Sequence, residues 1–358
     1  MKMGVSAKVA DYETAFIFGA GASVHLLPSQ KQLIPGLWQA TTPPYAAGLP
    51  LHLLLPARRY LVQTFPGLPM GGEIAFEDVV GPLEISESEE YWFHYAYKDE
   101  KSKYLITNQA VLDALDTWLA MALNPSHVPR RPGDPGFLDH FSPAPAAKVL
   151  YAQLLHLLDS LGLAERCVFV SLNYDTLLDK SILATGKYDT DYQVEAFVDR
   201  PPTGTLLPVL KLHGSMNWRS CDSCHVLLDL GYEYIGPKSH CKTCGERRAR
   251  PMLIRPTLLK DFRHRVWQDV WRAAGRALAG ATKWVIIGYS LPLADVWMLR
   301  LLAQSVRSGR PGRQRQISVV DFAPDVLDRF HLLFPSAGKG AGTFEEYLAA
   351  CQAAGRVV

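Results

Sequence analysis

The stretch that decides the fold is Ala15-Phe-Ile-Phe-Gly-Ala-Gly-Ala-Ser23. Its apolar run is typical of a strand buried on both faces of a parallel sheet. The glycines that follow let a backbone approach a bound pyrophosphate, because a side chain there would block the ligand. The stretch therefore predicts a strand that ends in a nucleotide-binding loop. An ordinary strand-to-helix turn is the alternative, since Val24 fills the last glycine position of the G-x-G-x-x-G pattern.

The second half of the chain alternates short apolar runs with helical patterns. This alternation predicts an α/β fold with a Rossmann-like doubly wound parallel sheet. Ligands of such sheets bind outside the carboxyl ends of the strands. The predicted strands are 167–171, 207–212, 284–288 and 317–321, and the predicted helices are 176–183, 262–279, 292–308 and 324–334.

Polar residues follow several of the predicted strands, at the edge where a ligand would bind. Taken singly, Asn173 and Asp175 are equally typical of turns and helix N-caps, and His213 of a satisfied core histidine. Together, the strand ends bring Asn173, His213 and Ser290 toward the glycine loop. A neutral imidazole placed there suits general-base catalysis, so we interpret this edge as the active site.

Four of the six cysteines form two C-x-x-C pairs, Cys221 with Cys224 and Cys241 with Cys244. This spacing predicts a four-thiolate zinc site, and four protein ligands leave no open position, so the zinc should be structural. The neighbouring arginines 247, 248 and 250 also suggest a nucleic-acid-binding ribbon, although a solvated basic edge explains them more simply.

Composition excludes several classes of protein. The 358 residues carry 37 Lys and Arg against 35 Asp and Glu, a net charge of +2 that does not indicate nucleic-acid binding. With 48% hydrophobic and 20% charged residues, the chain is neither fibrous nor disordered. The sequence shows no apolar run of membrane-spanning length, and Asp11 and Glu13 interrupt any secretory signal, which predicts a soluble cytoplasmic protein.

The expected domain organisation is one sheet domain with inserted segments. Residues 1–25 and 164–335 form the predicted NAD-binding domain, 26–163 a mostly helical insertion, 216–252 the zinc-ribbon module and 336–358 a C-terminal tail. Frequent prolines between positions 28 and 69 argue against long helices there, except over 51–65. Helical periods are found over 108–123 and 144–163. Glycines at 338–342 predict a flexible hinge before a short capped helix.

The motifs, taken in chain order, resemble those of the sirtuin superfamily. They are the glycine loop 19–23, Asn173-Tyr-Asp175, His213-Gly214, the double C-x-x-C insert and Gly288-Tyr-Ser290. The resemblance covers 15–23 and 167–321, whereas 24–166 matches only in being an insertion. It implies an NAD-binding Rossmann-like domain with a small zinc module, and attack on the nicotinamide–ribose bond.

The resemblance also implies a role for each matching residue. Asn173 would lie by the nicotinamide ribose with Asp175 supporting it, and His213 would be the general base. Protein deacylases usually have asparagine where this chain has Asp321, although a carboxylate after an apolar strand suits ribose hydroxyls. The residues implied to bind NAD are Gly19, Ala20, Gly21 and Ser23 at the pyrophosphate, Gly288 and Ser290 at the phosphate and adenine-ribose side, and Asp321 at the adenosine ribose.

Protein-deacylating sirtuins carry three segments that this chain lacks, and the last of them helps to grip acyl-lysine. Their G-I-P-x-F-R segment is replaced by His25-Leu-Leu-Pro-Ser29, their glutamine before the asparagine by Leu172, and their F-G-E segment by the sequence 251–260. Segments 253–260 and 285–295 are more similar to divergent bacterial sirtuin-like proteins, many of which hydrolyse NAD in anti-phage defence.

We therefore predict an NAD hydrolase that releases nicotinamide and ADP-ribose, with water in place of acyl-lysine. The enzyme would be restrained until a partner protein or a homo-oligomer activates it, because unregulated NAD loss would harm the cell. Two alternatives remain. One is an NAD-dependent protein deacylase or ADP-ribosyltransferase, and the other is a non-catalytic sensor of NAD or ADP-ribose.

Overall fold

A computed structural model describes most of the chain. The described residues are 12–28, 30–42, 51–68, 74–88, 97–98, 105–123, 149–194, 202–221, 223–224, 227–229, 241, 243–245, 249–255, 262, 265–292, 295–308 and 315–358. The side chains of the arginines at 247, 248 and 250, on which the suggested nucleic-acid-binding ribbon depends, lie outside the described residues.

Strands and helices alternate along the chain. The strands are β1 Thr14–Phe18, β2 Tyr97–Lys98, β3 Leu105–Ile106, β4 Cys167–Ser171, β5 Tyr188–Asp191, β6 Thr205–Lys211, β7 Gly214–Cys221, β8 Leu227–Asp229, β9 Ala249–Leu253, β10 Lys283–Ile287, β11 Gln316–Val320 and β12 Gly338–Ala341. The helices are α1 Gln30–Ala40, α2 Leu51–Thr64, α3 Phe76–Ser88, α4 Asn108–Ala122, α5 Leu150–Ser160, α6 Leu177–Ala184, α7 Arg265–Gly280, α8 Val296–Arg307, α9 Pro324–His331 and α10 Phe344–Ala354.

The chain divides into two compact units. The first comprises Met1–His25, Ala144–Ser215 and Phe262–Val358, and the second comprises Leu26–Pro143 and Met216–Asp261. The helical insertion and the zinc-ribbon module predicted from the sequence thus fall in one unit. Helix α5, which the sequence analysis assigned to the insertion, falls with the sheet.

The first unit is built on a seven-stranded sheet of order β12-β11-β10-β1-β4-β6-β5 with parallel pairing throughout. The predicted fold class, a Rossmann-like doubly wound parallel sheet, is confirmed. Strand β1 is central: the chain first adds β4, β5 and β6 on one side and then β10, β11 and β12 on the other. The strand order therefore changes direction at β1, the position where ligands bind in open α/β sheets.

The strand register aligns the ends of the five middle strands in one row. Phe18 pairs with Ser171 on one side and Ile287 on the other, Ser171 pairs with Lys211, and Ile287 pairs with Val320. The loops after these strands consequently begin side by side at the carboxyl edge of the sheet.

Apolar burial explains why these segments form strands. Every residue of β1 and β4 is buried, and the ring of Phe169 stacks on Phe16 and Phe18 at 5.9 and 6.5 Å. Helix α5 packs on α6 and α10, and α7 packs on α8 and β6. The predicted strands and helices of the second half are present, with ends shifted by a few residues.

Three expectations from the sequence need correction. The segment expected to be a flexible hinge is the edge strand β12, paired in parallel with β11. Its neighbour α10 begins with the predicted capping box between Thr343 and Glu346. Strand β5, with the polar sequence Tyr-Asp-Thr-Asp, was not predicted because it lacks an apolar run. Finally, α1 is an 11-residue helix despite Pro35, although the prolines between 28 and 69 predicted no long helix outside 51–65.

The second unit contains α1 to α4 and the small sheet β8-β7-β9. Proline inside a helix costs about 3 kcal/mol of stability, but α1 and α3 each bury an apolar face that offsets this cost.

Side-chain contacts connect the elements of this unit. The indole of Trp118 on α4 donates to the carbonyl of Leu33 on α1 at 2.7 Å. Arg255 forms a bidentate pair with Asp116 at 2.8 and 2.6 Å and also donates to Glu84 at 2.7 Å, which ties the segment after β9 to α3 and α4.

Candidate functional site

The glycine loop packs directly against the loop after β10. The amide of Gly21 donates to the carbonyl of Gly288 at 2.8 Å. A Cβ on Gly19 would lie 2.5 Å from that carbonyl oxygen, and a Cβ on Gly21 would lie 2.7 Å from the Cα of Gly288. Gly288 has a φ of +62°, and a Cβ there would meet the amide nitrogen of Ala22 at 2.1 Å. The three glycines are thus required by backbone packing between the two loops.

Asn173 is oriented by the glycine loop. Its Nδ2 donates to the carbonyl of Gly19 at 2.9 Å, and it lies 3.3 Å from Oγ of Ser23 and 3.4 Å from the hydroxyl of Tyr151. These three acceptors on one side fix the carboxamide, so Oδ1 points to the opposite side of the group. The sequence predicted that Asn173 and Ser23 would converge, and the structure brings them together.

Asp175 is buried and fully engaged within the protein. Its Oδ1 accepts from the amide of Leu177 at 3.0 Å, at the start of α6, and its Oδ2 accepts from the hydroxyl of Ser23 at 3.0 Å. Burial raises the pKa of this carboxyl, and Lys211 opposes that rise. The carboxylate therefore links the glycine loop to the asparagine loop.

A second layer of buried polar groups lies behind Asp175. Lys211, the last residue of β6, donates to the backbone carbonyl of Asp175, and its Nζ lies 3.4 Å from Oδ2 of Asp179. The hydroxyl of Tyr192 donates to Oδ1 of Asp179 at 2.6 Å. These contacts anchor the loop that carries Asn173 to the neighbouring strand β6.

His213 follows β6 and is almost completely buried. Its Nδ1 lies 3.2 Å from the carbonyl oxygen of Leu172. A carbonyl only accepts hydrogen bonds, so Nδ1 carries the proton and Nε2 is the basic nitrogen of the neutral ring. The ring lies between Tyr174 and Trp271, with centroids at 6.3 and 6.4 Å.

Trp271 on α7 supports His213 from the backbone side. Its indole N–H donates to the carbonyl of Leu212 at 3.0 Å, directly before His213. Phe262 packs edge-on against Trp271 at 5.2 Å and also against Trp297 at 4.8 Å. The histidine is therefore held by an aromatic row that runs to helix α8.

Ser290 and Asp321 lie after the neighbouring strands β10 and β11. Ser290 is exposed, in a loop closed by a 2.9 Å hydrogen bond from Tyr289 to Asp295 and containing Leu291 at the positive φ of 51°. Oδ1 of Asp321 accepts from the amide of Ala323 at 2.9 Å, before α9. Both residues follow the row of strand ends, on the β10 side of the glycine loop.

Hydrogen bonds join four of the predicted site residues, Gly19, Ser23, Asn173 and Asp175. Backbone packing joins Gly21 to Gly288. Ala20 begins the short helical turn of the glycine loop. His213 contacts Leu172, the residue directly before Asn173. The sequence analysis did not identify Tyr151, Asp179, Tyr192 or Lys211. One signal was available, since Lys211 is a charged residue inside the predicted strand 207–212.

The four predicted zinc ligands cluster within the second unit. Their Sγ atoms all lie within 4.8 Å of one another, with Cys221 to Cys244 at 3.5 Å and Cys224 to Cys241 at 3.6 Å. A tetrahedral zinc with bonds of about 2.3 Å requires sulfur–sulfur edges of about 3.8 Å, so the cluster fits the metal. Backbone N–H donors from Cys244 and Thr243 contribute to a Cys241 pKa of about 6, which favours the thiolate.

No protein-family model matches the sequence, and no curated protein matches it. Several solved structures are similar. One is a Sir2 homologue in complex with NAD, with 15% identity over 97% of this chain and 92% of that chain and a TM-score of 0.45. Another is Sir2 with a p53 peptide and NAD+, with 14% identity, 96% and 93% coverage and a TM-score of 0.38. A sirtuin described for its substrate affinity has 19% identity, 57% and 71% coverage and a TM-score of 0.34.

Within the described part of the chain, none of the helices combines the length and the apolar character needed to cross a membrane.

Proposed function

We propose that this chain is a sirtuin-like enzyme that binds NAD at the carboxyl edge of its sheet and hydrolyses it to nicotinamide and ADP-ribose. The observation that carries the proposal is the direct hydrogen bonding of Asn173 to the glycine loop at the position where the strand order reverses. His213 contacts the carbonyl of Leu172, in the loop that carries Asn173. Glycine loop, asparagine and histidine thus meet where an open α/β sheet binds nucleotides.

The proposed reaction breaks the bond between the ribose carbon and the nicotinamide nitrogen. The bonding electron pair leaves with nicotinamide, which departs as a neutral amine from an oxocarbenium-like centre. Water adds to the ribose carbon, and its proton passes to Nε2 of His213, the basic nitrogen defined by the contact of Nδ1 with Leu172. Asn173 would orient the ribose or the attacking water through Oδ1, because Nδ2 is held by the protein.

The remaining predicted residues would hold the rest of NAD. The backbone of the glycine loop, at Gly19, Ala20, Gly21 and Ser23, would face the pyrophosphate, and Gly288 with Ser290 would face the phosphate and adenine-ribose side. Asp321 would bind the adenosine ribose hydroxyls. The four cysteines would hold a structural zinc, because their donor set fills a tetrahedral shell.

Hydrolysis is favoured over deacylation because the acyl-lysine segments of protein-deacylating sirtuins are missing from the sequence. Without a bound acyl-lysine, water is the available nucleophile.

By resemblance to divergent bacterial sirtuin-like proteins, the activity would belong to cytoplasmic anti-phage defence. It would be restrained until a partner protein or a homo-oligomer activates the enzyme. Phage challenge of bacteria expressing the wild-type chain or His213→Ala tests this extension.

The enzymatic proposal is tested by incubating the purified chain with NAD and measuring free nicotinamide and ADP-ribose, with an acetyl-lysine peptide in a parallel sample. We expect peptide-independent ADP-ribose formation that falls by at least about 100-fold in His213→Ala, the scale of a lost general base, and in Asn173→Ala, the scale of a mispositioned reactant. The matched control is His156→Ala, because His156 is an exposed histidine of the same unit. Full activity in both site variants would contradict the proposal.

The two alternatives give different results in the same experiment. Turnover only in the presence of peptide would indicate a deacylase or an ADP-ribosyltransferase. Measurable NAD or ADP-ribose binding without turnover, unaffected by Asn173→Ala and His213→Ala, would indicate a sensor.

A further inference from the structure

Tyr151 on α5 places a phenol hydroxyl inside the cluster that holds Asn173. Only 1% of the residue is exposed. Its ring packs edge-on against Phe18 at 5.0 Å and Phe344 at 5.7 Å. Its hydroxyl lies 3.0 Å from Oγ of Ser23 and 3.4 Å from Nδ2 of Asn173. A single oxygen atom thus contacts both the glycine loop and the asparagine loop.

The donors and acceptors of this cluster allow one consistent assignment when Asp175 is ionised. A carboxylate only accepts, so the hydroxyl of Ser23 donates to Oδ2 of Asp175. Having used its proton, Ser23 must accept from the hydroxyl of Tyr151. The Nδ2 group of Asn173 only donates, and it is directed at the oxygens of Gly19, Ser23 and Tyr151.

The phenol remains a donor throughout the neutral pH range. Burial raises the pKa of Tyr151, and the charge of Asp175 raises it further. The hydrogen bonds from Tyr151 to Ser23 and from Ser23 to Asp175 therefore run in one direction, toward the buried carboxylate.

We propose that Tyr151 is a positioning residue for NAD cleavage, whose hydroxyl holds Ser23 and Asn173 in the arrangement that the reaction requires. This inference rests on the proposed function. It adds a residue from helix α5, outside all the motifs that carry the resemblance to sirtuins. Tyr151 would not touch NAD; it would act through Ser23 and Asn173.

A purely structural role for Tyr151 makes a different prediction. The ring fills the space between Phe18 and Phe344, and phenylalanine would fill it equally well. Burying a hydroxyl costs free energy that burying the phenylalanine ring does not. A merely structural tyrosine could therefore be replaced by phenylalanine with no change in turnover.

The test compares Tyr151→Phe, Ser23→Ala and the double variant with the wild-type chain, using kcat and KM for NAD and the melting temperature of each. We expect Tyr151→Phe to lower kcat about tenfold, the scale of one lost hydrogen bond. KM should stay within about twofold, since Asp175 still holds Ser23 and Gly19 still holds Asn173. The double variant should lose less kcat than the product of the single losses, because the two residues act through one bond.

The matched control is Tyr188→Phe. Tyr188 is a buried tyrosine of the same unit that begins the edge strand β5, and its hydroxyl bonds to Asp159, near the end of α5. It should leave kcat and KM unchanged.

Ser23→Ala tests the same hydrogen bond in a second way, in case Tyr151→Phe fails to fold. It removes the acceptor of the Tyr151 hydroxyl and leaves the ring in place. Unchanged kcat in Tyr151→Phe, or fully multiplicative losses in the double variant, would overturn the inference while leaving the proposed function intact. A wild-type chain that neither binds nor cleaves NAD would overturn the proposed function, and the inference with it.

Discussion

Nζ of Lys211 lies 3.4 Å from Oδ2 of Asp179, and both side chains are sealed from solvent, with 1% and 0% exposed. Lys211 also donates to the carbonyl of Asp175, and Tyr192 donates to the other oxygen of Asp179. A buried ion pair compensates its desolvation only when further hydrogen bonds satisfy both partners. These additional bonds meet that condition, and they attach the loop carrying Asn173 to strand β6.

Removing the lysine should therefore destabilise the protein strongly. Lys211→Met leaves the charge of Asp179 buried without its cation, a change that typically costs about 3–5 kcal/mol. The matched control is Lys187→Met, which breaks the exposed pair with Asp159 and should cost far less, because solvent screens an exposed ion pair. Urea unfolding of both variants measures the difference. Equal free energies of unfolding for the two would show that the buried pair is not required.

Gly288 should tolerate alanine far less well than another glycine with the same backbone conformation. Gly288 and Gly355 have φ values of +62° and +60°, but a Cβ on Gly355 would meet no atom within 4 Å, whereas one on Gly288 would meet Ala22 N at 2.1 Å. Gly355→Ala should cost about 1 kcal/mol from backbone strain alone. Gly288→Ala should cost clearly more and should also weaken NAD binding, because the glycine loop must move.

Thermal unfolding and NAD titration of both alanine variants test this expectation. Similar melting temperatures and similar NAD affinities would mean that the contact between the two loops is unimportant.

The sheet was predictable from the sequence because its strands are continuous apolar runs. The predicted bounds of β4 coincide with those observed, and the polar residues after each strand fall at one edge because parallel strands end together. The glycine loop was found for a different reason than the structure gives: its glycines allow contact with Gly288, whereas the sequence suggested only room for a ligand.

The buried network around the site was not predictable, because its members are far apart in the chain. The hydroxyl of Tyr151 meets Ser23 across 128 positions, and helical periodicity marks Tyr151 only as one of the residues on the buried face of α5. Strand β12 was missed because its glycines and lysine provide no apolar run. It forms because the edge of β11 offers unpaired backbone groups.

The cysteine cluster should bind one zinc ion per chain. Metal analysis of the purified protein should find zinc at this ratio, and Cys224→Ser should lower it to near zero, because three thiolates leave the tetrahedral shell open. The control is Cys351→Ser, since Cys351 is a buried cysteine of the other unit and should leave the zinc content unchanged. Full zinc retention in Cys224→Ser would exclude this cluster as the site.

Asp175→Asn should have opposite effects on stability at neutral pH and on activity. Burial raises its pKa above the unfolded value of 3.8, so the native state binds more protons than the unfolded state across the interval between the two pKa values. The stability that this carboxyl contributes is complete below pH 3.8 and is lost as pH rises through the folded pKa. Asp175→Asn removes this loss, so its free energy of unfolding relative to wild type should increase from pH 4 to pH 7.

The same variant should lose most NAD cleavage, because the neutral amide presents Nδ2 to Ser23 and reverses the hydrogen-bond direction through Tyr151. Urea unfolding at several pH values, together with kcat at neutral pH, tests both statements. A relative stability that is constant with pH would contradict the assignment of the ionised carboxylate, and retained activity would contradict its role in orienting Ser23.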